Sequence, residues 1–169
     1  KKALPLPLTA PKLQELEVEV EAKKLKLTNL NKIFWPDTGF TKRDLIEYYN
    51  LIAEWLLPHL KDRPMVLKRY PDGIKGKFFF QKEAPPDVPS WVRVESIKET
   101  DHANNYIIVI DKATLIYLVN LACIDLNPWS SRIGSLNSPD WLLIDLDPFG
   151  ASFKQVIKVA QVCQEVFTT

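Results

Sequence analysis

The most informative stretch of this sequence is Trp141-Leu142-Leu143-Ile144-Asp145-Leu146-Asp147-Pro148. A short apolar run that is rich in Leu and Ile and bounded by turn residues is typical of a buried strand. Because side chains alternate along a strand, Asp145 and Asp147 are predicted to share one face. Two such carboxylates repel each other and are costly to bury, and a bound Mg²⁺ or Mn²⁺ removes both problems. The alternative is a strand end that emerges into solvent, and this stretch alone leaves both interpretations open.

The composition narrows the class of protein. A net charge of +1 over 169 residues gives no global basic field, so nucleic-acid binding would need local patches. No apolar run is long enough to span a membrane, and no signal peptide is visible. Cys123 and Cys163 lie apart in apolar helical patterns, which favours two buried, unpaired thiols and a reducing cytoplasm. With no Cys-x-x-Cys and no histidine pair, the sequence disfavours a structural zinc site.

The rest of the sequence predicts short strands and helices in alternation, an α+β arrangement. Residues 1–15 hold three prolines and are predicted as a linker or arm, and residues 16–169 as the domain. Predicted strands cover 16–20, 25–27, 65–70, 77–82, 91–97 and 106–110, with hairpins at 65–82 and 91–110. Helices are predicted from Thr41 to near Pro58, from Asp111 to about Cys123, and from Ser152, the last with a core face of Val156, Ile157, Ala160, Cys163 and Phe167. The sequence starts without Met and ends in a helical pattern, so we expect it to be part of something longer.

Three consecutive aromatic residues occupy one of the predicted strands. Phe78, Phe79 and Phe80 cannot all point inward, and an aromatic ring on the other face can stack on a base. Large aromatic side chains are usually buried, so the pattern by itself favours a strand whose two faces are both covered by protein. Lys68 and Phe79 fall on the two strands of one predicted hairpin, but the register stays open.

Several blocks of this sequence occur in the same order in a known family. They are Leu27-Thr-Asn-Leu-Asn-Lys-Ile-Phe-Trp-Pro36, Thr41-Lys42, Arg63-Pro64, Lys68-Arg-Tyr-Pro-Asp-Gly73, Phe79-Phe-Gln-Lys82 and Asp145-Leu-Asp-Pro148. Together they resemble the polymerase domain of bacterial ligase D, the non-homologous end-joining enzyme, which belongs to the archaeo-eukaryotic primase superfamily. Ordered blocks are far more specific than any single motif. The resemblance runs from about Leu25 onward and implies the N-terminal portion of an α+β primase-like fold.

The resemblance also implies a function. The family fills gaps and duplex ends with nucleotides, preferring ribonucleotides, by a two-metal mechanism that uses Mn²⁺ or Mg²⁺. Implied partners are gapped or 5′-phosphorylated DNA, nucleoside triphosphates, ligase and phosphoesterase domains of the same parent protein, and a Ku-type end-binding protein. The implied location is the bacterial cytoplasm, beside the nucleoid.

The resemblance assigns roles to individual residues. Asp145 and Asp147 match the catalytic, metal-binding carboxylates, and Asn29, Lys32 and Lys42 match positions that hold the 5′-phosphate of the downstream strand. An amide and two ammonium groups suit a dianionic terminus, and the helix that starts at Thr41 is expected to add backbone N–H groups. Residues on the nucleotide or template side are Lys68, Arg69, Phe79, Phe80, Lys82 and Asn127.

Two departures from the family pattern affect the expected activity. Asn127 stands where the family usually has a histidine, and an amide cannot titrate near neutrality. The family's third catalytic carboxylate and its Ser-x-His motif lie beyond Thr169. We therefore expect residues 1–169 alone to be inactive as a polymerase. Two alternatives remain: a module that binds 5′-phosphorylated DNA ends without extending them, and a metal-dependent phosphohydrolase.

Overall fold

The computed structural model describes residues 13–100 and 102–168, so most of the linker predicted at 1–15 lies outside the described residues. The chain is a mixed α+β structure. Its strands are β1 (Leu16–Val20), β2 (Lys23–Leu27), β3 (Ile33–Trp35), β4 (Phe40–Thr41), β5 (Met65–Arg69), β6 (Phe79–Gln81), β7 (Val94–Lys98), β8 (Ala103–Ile107) and β9 (Cys123–Pro128). Its helices are α1 (Lys42–Leu60), α2 (Lys112–Asn120) and α3 (Phe153–Thr168).

Antiparallel pairing joins strands that are neighbours in the chain, as the two predicted hairpins require, and it also joins β5 to the distant β9. β5 is the centre of a sheet in the order β6-β5-β9, and β7 pairs with β8. β1 pairs with β2, and the alternating apolar residues Val18, Val20, Leu25 and Leu27 turn into the core while the charged residues between them face solvent. The predicted hairpins are therefore confirmed, with ends that differ from the prediction by a few residues.

The helices begin at the predicted capping residues. Thr41 caps α1 in a capping box: its hydroxyl accepts the backbone N–H of Asp44, whose carboxylate accepts the N–H of Thr41. Asp111 caps α2 by accepting the N–H of Thr114 at 2.8 Å. α1 runs through Pro58 and ends at Leu60, slightly later than predicted. Within residues 13–100 and 102–168, no helix has both the length and the apolar character of a membrane span.

The main core lies between α1, α2 and the sheet that contains β5. Its fully buried side chains include Leu27, Leu30, Phe34, Ile46, Met65, Leu115 and Leu118. Leu30 lies in the irregular loop between β2 and β3, and Phe34 lies in β3. The burial of these two side chains holds the loop against the start of α1, where the N–H of Arg43 donates to the Leu30 carbonyl.

The strand predicted at residues 141–147 is not present. The segment has no strand pairing, and Leu142 and Leu143 are 68% and 73% exposed. Only its start is fixed, because Asp140 accepts hydrogen bonds from Arg63 at 2.7 Å and Arg132 at 3.0 Å. An apolar run forms a strand when a neighbouring strand pairs its backbone, and the described residues supply none to this segment.

The predicted core face of α3 is also wrong. The helix forms after Ser152 as expected, but none of its described residues is buried, and Val156 and Cys163 are only half-buried. The amphipathic pattern correctly predicted a helix. Burial of its apolar face also needs another surface of the protein to pack against, and the pattern does not show whether one is present. The prediction of a buried thiol holds for Cys123 alone.

Candidate functional site

A tight loop at residues 28–32 lies across the N-terminus of α1. The backbone N–H of Lys32 donates to the carbonyl of Asn29 at 3.0 Å, and Asn29 takes a left-handed conformation with φ of 55°. The N–H of Lys42 donates to the carbonyl of Lys32 at 2.9 Å, and the N–H of Arg43 to that of Leu30 at 3.0 Å. These contacts bring Asn29, Lys32 and Lys42 together, although the two lysines are separated in sequence.

The helix terminus contributes less to this site than predicted. The N–H groups of Lys42 and Arg43 are hydrogen-bonded to the loop, and that of Asp44 is bonded to the Thr41 hydroxyl. These donors are already satisfied within the protein, so the expectation of free N–H groups there is wrong. Anion binding at this site would depend on side chains.

Lys42 is the most unusual residue in the site. It is only 3% exposed, and its Nζ donates to the backbone carbonyl of Thr28 at 2.7 Å. Among the ion pairs of the described residues, none joins Lys42 to a carboxylate. Burial and, to a smaller extent, the nearby charges of Arg69 and Lys32 together lower the pKa of Lys42 to about 8. A desolvated ammonium group beside two other cations favours an anionic ligand.

Replacing Lys42 with methionine is expected to stabilise the protein at pH 7 by roughly 1–3 kcal/mol. Methionine fills similar space without a buried charge. The pKa of Lys42 drops from 10.5 to about 8 on folding. Between these two pH values the unfolded chain therefore binds more protons than the folded protein, and the stability of the unmodified protein rises with pH. The gain from Lys42→Met should therefore shrink from pH 8 to 10.5 in urea unfolding. The control is Lys98→Met, at an exposed position. This explanation is contradicted if the gain in stability from Lys42→Met stays constant with pH, or if Lys98→Met gives the same gain.

Lys32 differs from Lys42 in having a carboxylate partner. Its Nζ lies 2.6 Å from the Oδ1 atom of Asp72, with side chains that are 40% and 73% exposed. Asp72 follows β5 in the turn Pro71-Asp72-Gly73. Asp72 is thus the one described carboxylate that pairs with a lysine of this loop, and it lies in a turn that is distant from the loop in the sequence.

The sheet order β6-β5-β9 divides the predicted nucleotide-side residues between two faces. Arg69 lies opposite Phe79, and Lys68 lies opposite Phe80 on one side and Asp125 on the other. The Arg69 guanidinium stacks on Phe79 at 5.2 Å from the ring centroid and donates to Gln81 and to the Leu121 carbonyl. Arg69 and Phe79 therefore lie on one face of the sheet, and the charge of Arg69 lowers the pKa of Lys42. Lys68 and Phe80 lie on the opposite face.

Lys68 is surrounded by aromatic rings. Its Nζ lies 4.5 Å from the ring centroid of Phe78, 5.5 Å from Tyr70 and 5.8 Å from Phe80. It also pairs with Asp125 at 3.2 Å. Hydrogen bonds to Tyr70 and Asp125 raise the pKa of Lys68, which keeps the ammonium charged. The sequence had suggested no role for Asp125, because its contact with Lys68 depends on strand pairing.

The three consecutive phenylalanines are all exposed. Phe78, Phe79 and Phe80 are 52%, 44% and 61% exposed, so the expectation that protein covers both faces is wrong. Among the strands of the described residues, β6 pairs with β5 alone and is a short edge strand. Its rings pack on lysine and arginine side chains instead of a core, which leaves their outer surfaces open to solvent.

The remaining nucleotide-side residues lie apart. Lys82 pairs with Glu99 at 2.9 Å, and hydrogen bonds from Tyr106, Lys82 and Asn104 lower the pKa of Glu99 to about 2. Asn127 is exposed on β9 opposite Val66. With Asp125 it lines a cavity of about 850 Å³ between α1 and β9, which also contains Arg63 and Arg132.

Asp145 and Asp147 are both exposed and line one shallow cavity of about 270 Å³ with Gln155 and apolar residues. Carboxylate oxygens suit Mg²⁺ or Mn²⁺. However, the part of the chain that the structure describes holds no group of three or more His, Cys, Asp or Glu side chains that could bind a metal ion. Two exposed carboxylates do not by themselves make a complete metal centre.

Comparison with known proteins places these features in a family. A family model described as "LigD, primase-polymerase domain" matches residues 41–169. The chain is 34% identical over 125 residues to the "Bifunctional non-homologous end joining protein LigD" of Bacillus subtilis, covering 74% of this chain and 20% of that protein. It is 29% identical over 149 residues to the "Multifunctional non-homologous end joining protein LigD" of Mycolicibacterium smegmatis, covering 86% and 20%. The chain thus spans about a fifth of the length of these relatives.

A solved structure agrees with this assignment. The "Polymerase Domain from Mycobacterium tuberculosis Ligase D in complex with DNA" matches with a TM-score of 0.62 and 30% identity, over 64% of this chain and 38% of that one. The fold and the sequence define a primase-polymerase class of domain. The chain belongs to the LigD primase-polymerase domain family.

Proposed function

We propose that this chain recognises the 5′-phosphate of the downstream strand at a DNA gap, through Asn29, Lys32 and Lys42. The observation that carries this proposal is Lys42, a buried ammonium group that pairs with no carboxylate among the described residues and lies beside Arg69 and Lys32. A terminal phosphate carries about −1.5 to −2 charges and three acceptor oxygens, so it satisfies several donors at once. The solved relative is a complex with DNA, which supports a nucleic-acid ligand.

We further propose that the parent protein is an end-joining nucleotidyltransferase that prefers ribonucleotides. In this proposal Asp145 and Asp147 would hold Mn²⁺ or Mg²⁺ together with ligands from outside the described residues, and the bound metal would supply stabilisation of the charge on a phosphoryl group. Nucleoside triphosphates, the ligase and phosphoesterase domains, a Ku-type protein and a location at the bacterial nucleoid are proposed with it. Family membership supports these proposals.

A non-catalytic role of residues 1–169 is the second candidate. The exposed, irregular Asp145–Asp147 segment favours it, since the residues proposed to bind an end are fixed by hydrogen bonds while the carboxylates are not. Nucleotide incorporation and DNA-end binding, measured on the same gapped substrate, separate the two. Incorporation would support the enzyme, and end binding without incorporation would support the module.

Phe80 offers a test of the proposed template side. Phe80→Ala is expected to weaken binding to gapped DNA with an unpaired template base by roughly 10-fold, because stacking on an aromatic ring typically contributes 1–3 kcal/mol. Its ring is 61% exposed, so the midpoint of unfolding should change little. Phe153→Ala, at a site that is 76% exposed on α3, is the matched control. Equal losses for the two variants in fluorescence anisotropy would argue against a specific stacking role.

A further inference from the structure

The turn after β5 is fixed against β3 by its backbone. Gly73 has φ of 80°, and its N–H donates to the Tyr70 carbonyl at 3.0 Å. The N–H of Ile74 donates to the carbonyl of Phe34 at 2.9 Å, and a Cβ atom at Gly73 would lie 2.8 Å from that same oxygen. Only glycine fits such a close approach with this φ without strain. The turn therefore holds Asp72 beside Lys32.

Asp72 is the only described carboxylate that pairs with a lysine of the proposed phosphate site. It contacts Lys32 at 2.6 Å, whereas the neighbouring cations Lys42 and Arg69 bond to neutral acceptors, the carbonyls of Thr28 and Leu121 and the amide of Gln81. With an exposed fraction of 73%, the Asp72 side chain can move away without leaving a buried charge. Exposed ion pairs of this kind contribute little to stability, so a stronger anion can displace the carboxylate.

We propose that Asp72 is an internal competitor of the 5′-phosphate: it occupies Lys32 in the unbound site and is displaced when a terminal phosphate binds. This inference rests on the proposed end-recognition function. An internal phosphodiester carries one negative charge, so it gains little by replacing a carboxylate that already neutralises Lys32. A terminal phosphate carries more charge and a third free oxygen, so it can displace Asp72 with a net gain. Displacing Asp72 therefore reduces the affinity for the terminal phosphate by the strength of the ion pair between Asp72 and Lys32.

The test compares Asp72→Asn with the unmodified chain on one-nucleotide gapped duplexes that carry a 5′-phosphate or a 5′-hydroxyl, at pH 7.5. Binding of the 5′-phosphorylated duplex should become about 3- to 5-fold tighter, the size of effect measured for exposed ion pairs. Binding of the 5′-hydroxyl duplex should change less than about twofold, so the preference for the 5′-phosphate rises.

Asp37→Asn is the matched control, because it removes a similar exposed pair, Asp37 with Lys75 at 2.5 Å, and changes the net charge equally. If Asp72→Asn weakens binding of the 5′-phosphorylated duplex, or alters both duplexes as Asp37→Asn does, the inference is overturned. Lys32→Ala separates this failure from a failure of the proposed site. If Lys32→Ala lowers the preference for the 5′-phosphate and Asp72→Asn leaves it unchanged, only the role of Asp72 is rejected. If neither variant changes this preference, the proposed site itself is rejected.

Discussion

Replacing both Lys32 and Lys42 with alanine is expected to abolish the preference for 5′-phosphorylated over 5′-hydroxyl gapped DNA, a loss of roughly 100-fold or more. Each lysine can offer a charge-assisted hydrogen bond to the dianion, and such bonds contribute about 1.5–3 kcal/mol each. Lys42 contributes the larger share in this reasoning, because it is 3% exposed and its charge is poorly screened by water. The measurement is the ratio of dissociation constants for the two duplexes at fixed salt concentration.

The matched control for this pair is Lys24→Ala with Lys98→Ala, which removes the same charge from exposed positions on β2 and β7. The control should weaken binding of both duplexes equally and leave their ratio unchanged. Equal losses on both duplexes for the Lys32 and Lys42 double variant would instead indicate generic attraction to phosphate. Binding of the phosphorylated duplex should also weaken above about pH 8, as Lys42 loses its proton.

The second large effect concerns catalysis. A protein of residues 1–169 is expected to extend gapped DNA with ribonucleotides and Mn²⁺ at least roughly 10³-fold more slowly than LigD of Bacillus subtilis. Asp145 and Asp147 are exposed, and the described residues place no third ligand with them. Phosphoryl transfer depends on positioned charge more than on covalent chemistry by the protein, so an incomplete metal site should be inactive.

DNA-end binding provides the internal control for this expectation. Asn29, Lys32 and Lys42 are held by the loop and α1, independently of residues 141–168, so end binding should persist. Asp145→Asn and Asp147→Asn should leave it unchanged. Extension that matches the Bacillus subtilis protein would show that the two carboxylates suffice, or that another carboxylate of this chain completes the site.

The parts of the fold that are encoded locally agree with the sequence predictions. The capping box of Thr41 and Asp44 involves residues three apart, and the cap of α2 by Asp111 is equally local. The hairpins of β5 with β6 and β7 with β8 follow from alternation and turn residues. The residues proposed for end binding came from the family resemblance, since lysines on a loop are ordinarily solvated.

Several predictions that failed concern burial, which depends on whether another part of the protein covers a given surface. Phe78, Phe79 and Phe80 were predicted to be covered by protein, yet they lie at the start of an edge strand and all three are exposed. The apolar run at 141–147 and the apolar face of α3 have the right patterns for burial, but the described residues provide no partner for them. The pattern of apolar residues indicates which face of an element could be buried, and only packing against another part of the protein decides whether that face is buried.

The sequence by itself determined the three helices, the caps of α1 and α2, the two hairpins and, through ordered motifs, the family, but it predicted a strand at 141–147 that is not present. Only the tertiary structure decided that Lys42 is buried, that Asp72 pairs with Lys32, and that Lys68 and Arg69 face opposite sides of one sheet. The reason is physical: caps and turns are set by interactions over a few residues. Charge pairing and burial depend on contacts between segments that are far apart in the chain, and these exist only after the chain has folded.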